Sequence, residues 1–201
     1  MYTAALTLSN LSCRHAKNIV IPPLSLKILP STLVVIEGSN GSGKTTLLNA
    51  LAGLHDQVSG NFRMTGETDE RSTDPILHVG HNNGLKANLT VKENLELFSV
   101  LAENQYLNRL KLLQQLDLFE IKDQLIKNCS KGQQKRTSLA RIFIAKSPLW
   151  LLDEPFSSLD RTATDLLQNA IHNHLTEKGI VMISTHLKFS LPKIRCTRIL
   201  L

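Results

Sequence analysis

The chain has little cysteine and no long hydrophobic run. Cys13, Cys129 and Cys196 stand far apart. No metal-type spacing joins them, and an odd count argues against a disulfide framework, so reduced thiols are expected. The longest apolar runs, at 33–36 and 149–152, are strand-sized, well short of the ~18 residues that a membrane-spanning helix needs. The first residues lack a basic segment followed by an apolar core, so no signal peptide is expected. Internal repeats, low-complexity tracts and long Pro/Gly/Ser linkers are missing too. What remains is an ordinary globular composition, 42% hydrophobic and 20% charged over 201 residues. That is enough chain to bury a core without disulfide or metal staples, and it fits a single domain over 1–201. The net charge of +6 permits anionic partners such as nucleotides, nucleic acid or an acidic membrane surface. A solvated basic surface meets the same number equally well.

Strand-like and helix-like segments alternate, which points to an α/β fold. Residues 4–11 and 24–29 carry apolar side chains at every second position and read as strands of a half-buried antiparallel sheet. Residues 33–36 and 149–152 are continuously apolar, as in strands covered on both faces. Further strands are expected at 76–79, 180–184 and 198–201. Helices are expected at 45–54 and 164–176, the second with Leu167, Ala170, Ile171 and His174 on one face. The region 86–146 reads as a mostly helical insert. There Thr90 and Glu93 form a capping box, Leu95, Phe98, Val100 and Leu101 supply an apolar face, and Leu107, Leu110, Leu113 and Leu116 recur at helical spacing. Another helix starts near Ser130.

Three stretches carry chemistry. Gly38-Ser39-Asn40-Gly41-Ser42-Gly43-Lys44-Thr45 matches the phosphate-binding loop, and it has the strand before it and the helix after it that the motif requires. Its glycines let successive backbone N–H groups turn toward a phosphate, and the helix N-terminus adds partial positive charge. Lys44 reaches phosphate oxygens, and the Thr45 hydroxyl can ligate Mg²⁺. Leu149-Trp150-Leu151-Leu152-Asp153-Glu154 then delivers two carboxylates to a strand end beside that loop. Asp153 is the candidate for holding Mg²⁺, and Glu154 for orienting or deprotonating a water. Cys129-Ser130-Lys131-Gly132-Gln133-Gln134 opens a helix and offers a second anion-binding end. Read alone, it is an ordinary N-cap. Beside a phosphate loop that needs no second device, it is explained as reaching the nucleotide of another subunit.

In this order the motifs resemble the ATP-binding subunits of ABC transporters: phosphate loop, Cys129–Gln133 signature, acidic strand, Ser158-Leu159-Asp160 as the D-loop, and His186 as the switch histidine. The resemblance covers essentially the whole chain. It implies a P-loop ATPase fold with a mixed core sheet, an antiparallel N-terminal β subdomain and a helical subdomain at approximately 86–146. It also implies that two copies sandwich two ATP molecules with Mg²⁺. Each site would then combine Gly38 through Thr46, Asn82, Asp153, Glu154 and His186 of one subunit with Ser130, Lys131, Gly132 and Gln133 of the other, and Thr45, Asp153 and Asn82 would be the metal-facing residues. Several positions depart from the family pattern. The signature begins with Cys129 and has Lys131 at its third position, and Asn82 stands at the aligned position of the Q-loop glutamine. His15 or Arg14 sits about where an aromatic stacks on adenine, Tyr2 being too early.

The sequence around the phosphate loop, Ile36 to Leu48, narrows the resemblance to CcmA, the ATP-binding subunits of cytochrome c maturation systems. The run Val79-Gly80-His81-Asn82-Asn83-Gly84-Leu85-Lys86 and the tetrad Asp153-Glu154-Pro155-Phe156 point the same way. That implies ATP hydrolysis coupled to haem handling at the cytoplasmic face of an inner membrane, a homodimer, and membrane subunits of the CcmB and CcmC type. No direct haem binding is expected: His172 and His174 point to different faces of a helix. Nucleic acid is not an expected partner. Other possibilities are an ATPase serving another small ABC exporter, a soluble ABC protein acting on ribosomes or nucleic acid, and a nucleotide sensor without turnover. Glu154 and His186 both speak against the sensor.

Overall fold

The computed structural model describes residues 4–66, 75–104, 107–186 and 189–201. Two sheets share the chain. β1 (Ala5–His15), β2 (Asn18–Ile28) and β4 (Val58–Thr65) form an antiparallel sheet in the order β2-β1-β4. The second sheet is parallel, with the order β5-β6-β7-β3-β8, and comprises β3 (Thr32–Glu37), β5 (Ile76–Val79), β6 (Leu149–Asp153), β7 (Ile180–Ser184) and β8 (Arg195–Leu200).

Every residue of β6 and β7, and Thr32 to Ile36 of β3, is buried, because the parallel sheet is covered on both faces. Alternate side chains therefore enter different cores. Val34, Ile36, Leu149, Leu151, Ile180 and Met182 pack with α1 (Lys44–Leu51) and the antiparallel sheet. Leu33, Val35, Trp150, Leu152, Val181 and Ile183 pack on the other side against α4 (Lys131–Ile144) and α5 (Arg161–Thr176). A third core lies within the helical stretch, where α2 (Val91–Leu101), α3 (Arg109–Gln115) and a 3-10 turn at Ile126–Asn128 meet α4. α4 serves two cores: Leu139 and Ile142 face the sheet, while Ala140 and Ile144 face α2 and α3. No helix among the described residues is long and apolar enough to cross a membrane.

Several elements differ from the sequence expectation. α1 stops at Leu51, Gly53 has φ 71, and Leu54 is exposed. α5 begins at Arg161 rather than 164, because the Asp160 carboxylate accepts from the Ala163 N–H and caps it there. β4 was not expected. Its apolar residues Val58, Phe62 and Met64 are only partly buried, and Gly60 and Asn61 interrupt the pattern. β8 starts three residues early, and β1 runs on to His15. The Thr90–Glu93 capping box is present on α2, but Val100, Leu101 and Leu110 are exposed rather than buried.

Candidate active site

The loop between β3 and α1 meets the carboxyl ends of β6 and β7, where ligands of open parallel sheets bind. There a cleft of about 520 Å³ opens. Asn40, Gly41, Gly43, Lys44, Thr45 and Thr46 form one wall, and His81, Asp153, Glu154, Ser157 and His186 the other. Gly43 is the N-cap of α1 with φ 104, a left-handed conformation natural to glycine. A Cβ there would lie 2.7 Å from Ile21 Cδ1 and 2.8 Å from Val20 Cγ1. The antiparallel sheet therefore sets the position of the loop's end.

Lys44 is buried, and its ammonium donates to the Gly38 and Ser39 carbonyls at 2.9 Å each. Ser42 closes the turn with its N–H on the Ser39 carbonyl, and its own hydroxyl oxygen is buried without a partner. Thr45 Oγ1 donates to Asp153 Oδ2 at 2.8 Å. The other Asp153 oxygen accepts from the Ser184 hydroxyl, and that same hydroxyl oxygen accepts from the Glu154 N–H at 3.0 Å. Asp153 and Ser184 sit directly opposite in the parallel register of β6 and β7. One serine thus aims both carboxylates. Glu154 follows with φ 44, and its Oε1 is buried without a hydrogen bond. His186 Nε2 lies 3.2 Å from that oxygen, near in distance but not aligned to donate.

Other sequence-derived candidates fall elsewhere. Ser130 caps α4 in a reciprocal box with Gln133, and neither residue lines this cleft. A Cβ on Gly132 would lie 3.0 Å from the Ser158 carbonyl, so the start of α4 rests on the turn at Ser158, which has φ 62. Leu159 packs on the second core. Asp160 caps α5 and also pairs with Arg136 at 3.3 Å. Asn82 and Lys131 line a neighbouring cleft, and from that loop it is His81 that reaches this one. Arg14 and His15 are exposed at the end of β1 and do not line the cleft; Tyr2 lies outside the described residues. His172 is exposed and His174 buried, on different faces of α5. Sequence reasoning missed His81, Ser157 and Ser184. The position of Ser184 just before Thr185-His186, on a strand beside the acidic one, was the available signal.

The chemistry of this cleft is that of nucleotide phosphates. Lys44 and the N-terminus of α1 attract anions. Thr45 and Asp153 bring a hydroxyl and a carboxylate oxygen together, hard donors that fit Mg²⁺. Glu154 presents an acceptor with free capacity. The fold and cleft define a P-loop nucleotide-binding protein. Residues 21–157 match the ABC transporter family. The chain is 36% identical over 187 residues to the cytochrome c biogenesis ATP-binding export protein CcmA of Vibrio parahaemolyticus, covering 90% of this chain and 91% of that one. It is 34% identical over 186 residues to the CcmA of Cereibacter sphaeroides, covering 92% and 84%. A solved ATP-binding subunit of an ABC transporter superposes with a TM-score of 0.78 at 25% identity, over 90% of this chain and 79% of that one. The chain belongs to the ABC transporter family, and the CcmA proteins are its relatives within it.

Proposed function

We propose that this chain is the ATP-hydrolysing subunit of an ABC transporter for cytochrome c maturation, coupling hydrolysis to haem export or to release of a haem-loaded chaperone. The observation that carries the hydrolytic reading is the single constellation of Lys44, Thr45, Asp153, Ser184 and Glu154 at the strand ends. The maturation role rests on the named activity of the CcmA relatives.

In this reading the loop from Gly38 to Thr46 holds the phosphates, and Lys44 leaves its own carbonyls for the β- and γ-phosphate oxygens. Thr45 and Asp153 would hold Mg²⁺, which when bound neutralises phosphate charge. Glu154 takes a proton from the attacking water as the water oxygen bonds to the γ-phosphorus and the bond to ADP breaks. His186 lies beside Glu154, placed to hydrogen-bond the γ-phosphate. Ser130 and Gly132 of a second copy would complete the site. The Ser130 oxygen accepts from Gln133 N, which leaves its O–H free to donate to a phosphate without uncapping α4. The whole chain acts as one ABC ATPase domain, with 86–146 as the helical subdomain toward membrane subunits of the CcmB and CcmC type. It is peripheral at the cytoplasmic face of the inner membrane and binds neither haem nor nucleic acid.

Glu154→Gln is expected to keep ATP binding, lose turnover and accumulate an ATP-bound dimer, as read by nucleotide titration, phosphate release and sedimentation. Unchanged hydrolysis would remove Glu154 from its role. Co-purification from native membranes is expected to bring down haem-handling membrane subunits. Recovery of ribosomes or nucleic acid in their place would overturn the maturation role.

A further inference from the structure

Next to the phosphate cleft lies a second one of about 480 Å³, and His81 and Ser157 wall both. Its charged lining is of one sign. Lys127, Lys131 and Lys135 face it, and no carboxylate does. Lys131 and Lys135 are four residues apart on α4 and share a face; Lys127 comes from the 3-10 turn just before. Lys131 is the first residue of this 14-residue helix, where the backbone N–H groups favour an anion.

Lys135 is the telling residue. It is only 4% exposed, yet it lines the cleft, and its side chain makes no hydrogen bond or ion pair among the described residues. Lys131 likewise makes none, and Lys127 only approaches Asn88 Oδ1 at 3.5 Å. Burial pulls the Lys135 ammonium below its ordinary pKa, opposed by the charges of Asp153 and Glu154, which lie close enough to act through space but do not pair with it. A buried cation is costly unless an anion meets it. Asn82 also lines the cleft and makes no hydrogen bond among the described residues.

We propose that this cleft receives the inorganic phosphate set free by hydrolysis, as a resting point on its way out of the first cleft. The inference rests on the hydrolytic reading above. The product is a small dianion formed at the γ position, and the shared wall of His81 and Ser157 makes the lysine cleft the adjoining space. A terminal phosphate carried by a second subunit against α4 has the same chemistry, so the test uses free phosphate.

The experiment is calorimetric titration of inorganic phosphate into the full chain saturated with ADP and Mg²⁺. Wild type is expected to bind phosphate. Lys127→Ala, at an exposed position, and Lys135→Met are each expected to weaken it roughly tenfold, the loss of one charge-assisted contact, with ADP affinity unchanged. Equal phosphate affinity in all three proteins overturns the proposal. So does weakening by His186→Ala with both lysine variants unaffected, which would place the phosphate at the γ position of the first cleft. Failure of ADP to bind would instead overturn the nucleotide reading, and with it the assignment of the anion as product.

Discussion

Ser184 shows how much a single hydroxyl can organise. It donates to Asp153 and accepts from the Glu154 N–H, so it fixes one carboxylate directly and the other through its backbone. Ser184→Ala is expected to lower kcat by roughly 10- to 150-fold with little change in the KM for ATP, since one charge-assisted hydrogen bond is worth roughly 1.5–3 kcal/mol. Ser184→Thr should restore most of the rate by returning the hydroxyl, whereas a merely structural role would show as equal loss in both variants. Steady-state phosphate release reads the difference. Lys44, Thr45, Asp153 and Glu154 could be named from sequence because each stands in a run of consecutive residues whose chemistry is local. Ser184 could not, since its partner is 31 positions away and the contact exists only through the register of two parallel strands. His81 was missed for a related reason. Aligning the Q-loop put weight on the amide of Asn82, but the turn brings the neighbouring imidazole to the cleft.

At the scale of elements, α5 carries a buried histidine as part of its apolar face. His174 stacks on Trp150 with ring centroids 3.9 Å apart and planes within 12°, and its Nε2 lies 3.3 Å from the Pro148 carbonyl. Burial lowers its pKa to about 4, against weaker opposing hydrogen bonds to the backbone of Pro148 and Ile180. The unfolded chain, with histidine near 6.5, therefore takes up a proton that the folded chain refuses. The stabilisation is full above about pH 6.5 and is lost as pH falls toward 4, by an amount on the order of 3 kcal/mol. Urea midpoints at pH 7.5 and 5 should show the drop, and His174→Phe, which keeps a ring on Trp150, should shrink it. An identical drop in the variant would assign the effect to other groups. The helical period of α5 and the unbroken apolar runs of β6 and β7 were legible because burial on one or both faces dictates them. β4 was not, because an edge strand with half-exposed side chains writes no strict alternation. The apolar face expected for α2 wrongly included Val100 and Leu101: they lie off the stripe of Val91, Leu95, Phe98 and Ala102 that packs on the third core, and they are exposed.

Across the whole molecule, α4 ties the site to the helical stretch. Besides serving two cores, it holds the loop after β5: Ser138 Oγ and Arg141 both donate to the Asn83 carbonyl, at 2.8 and 2.9 Å. His81, two residues before, is thus anchored through its loop to the helix that Ser130 caps. Five motifs in chain order were enough to read the family and the fold. The partners were not legible in the same way, because their contact surfaces need not follow any short motif. Glu154 adds a last consequence. A left-handed backbone at a residue with a side chain costs about 1–2 kcal/mol, and a buried acceptor left unbonded costs a similar amount. Both fall on the residue proposed to do the chemistry. Glu154→Gly should therefore give a protein without turnover that melts higher, by roughly 2–4 °C for a net gain near 1 kcal/mol in a chain of this size, as scanning calorimetry would record. A lower melting point would mean that the carboxylate supports the fold after all. If the rise is seen, catalytic readiness and resistance to heat are opposed at this position, and a search for hardier variants would select against activity here.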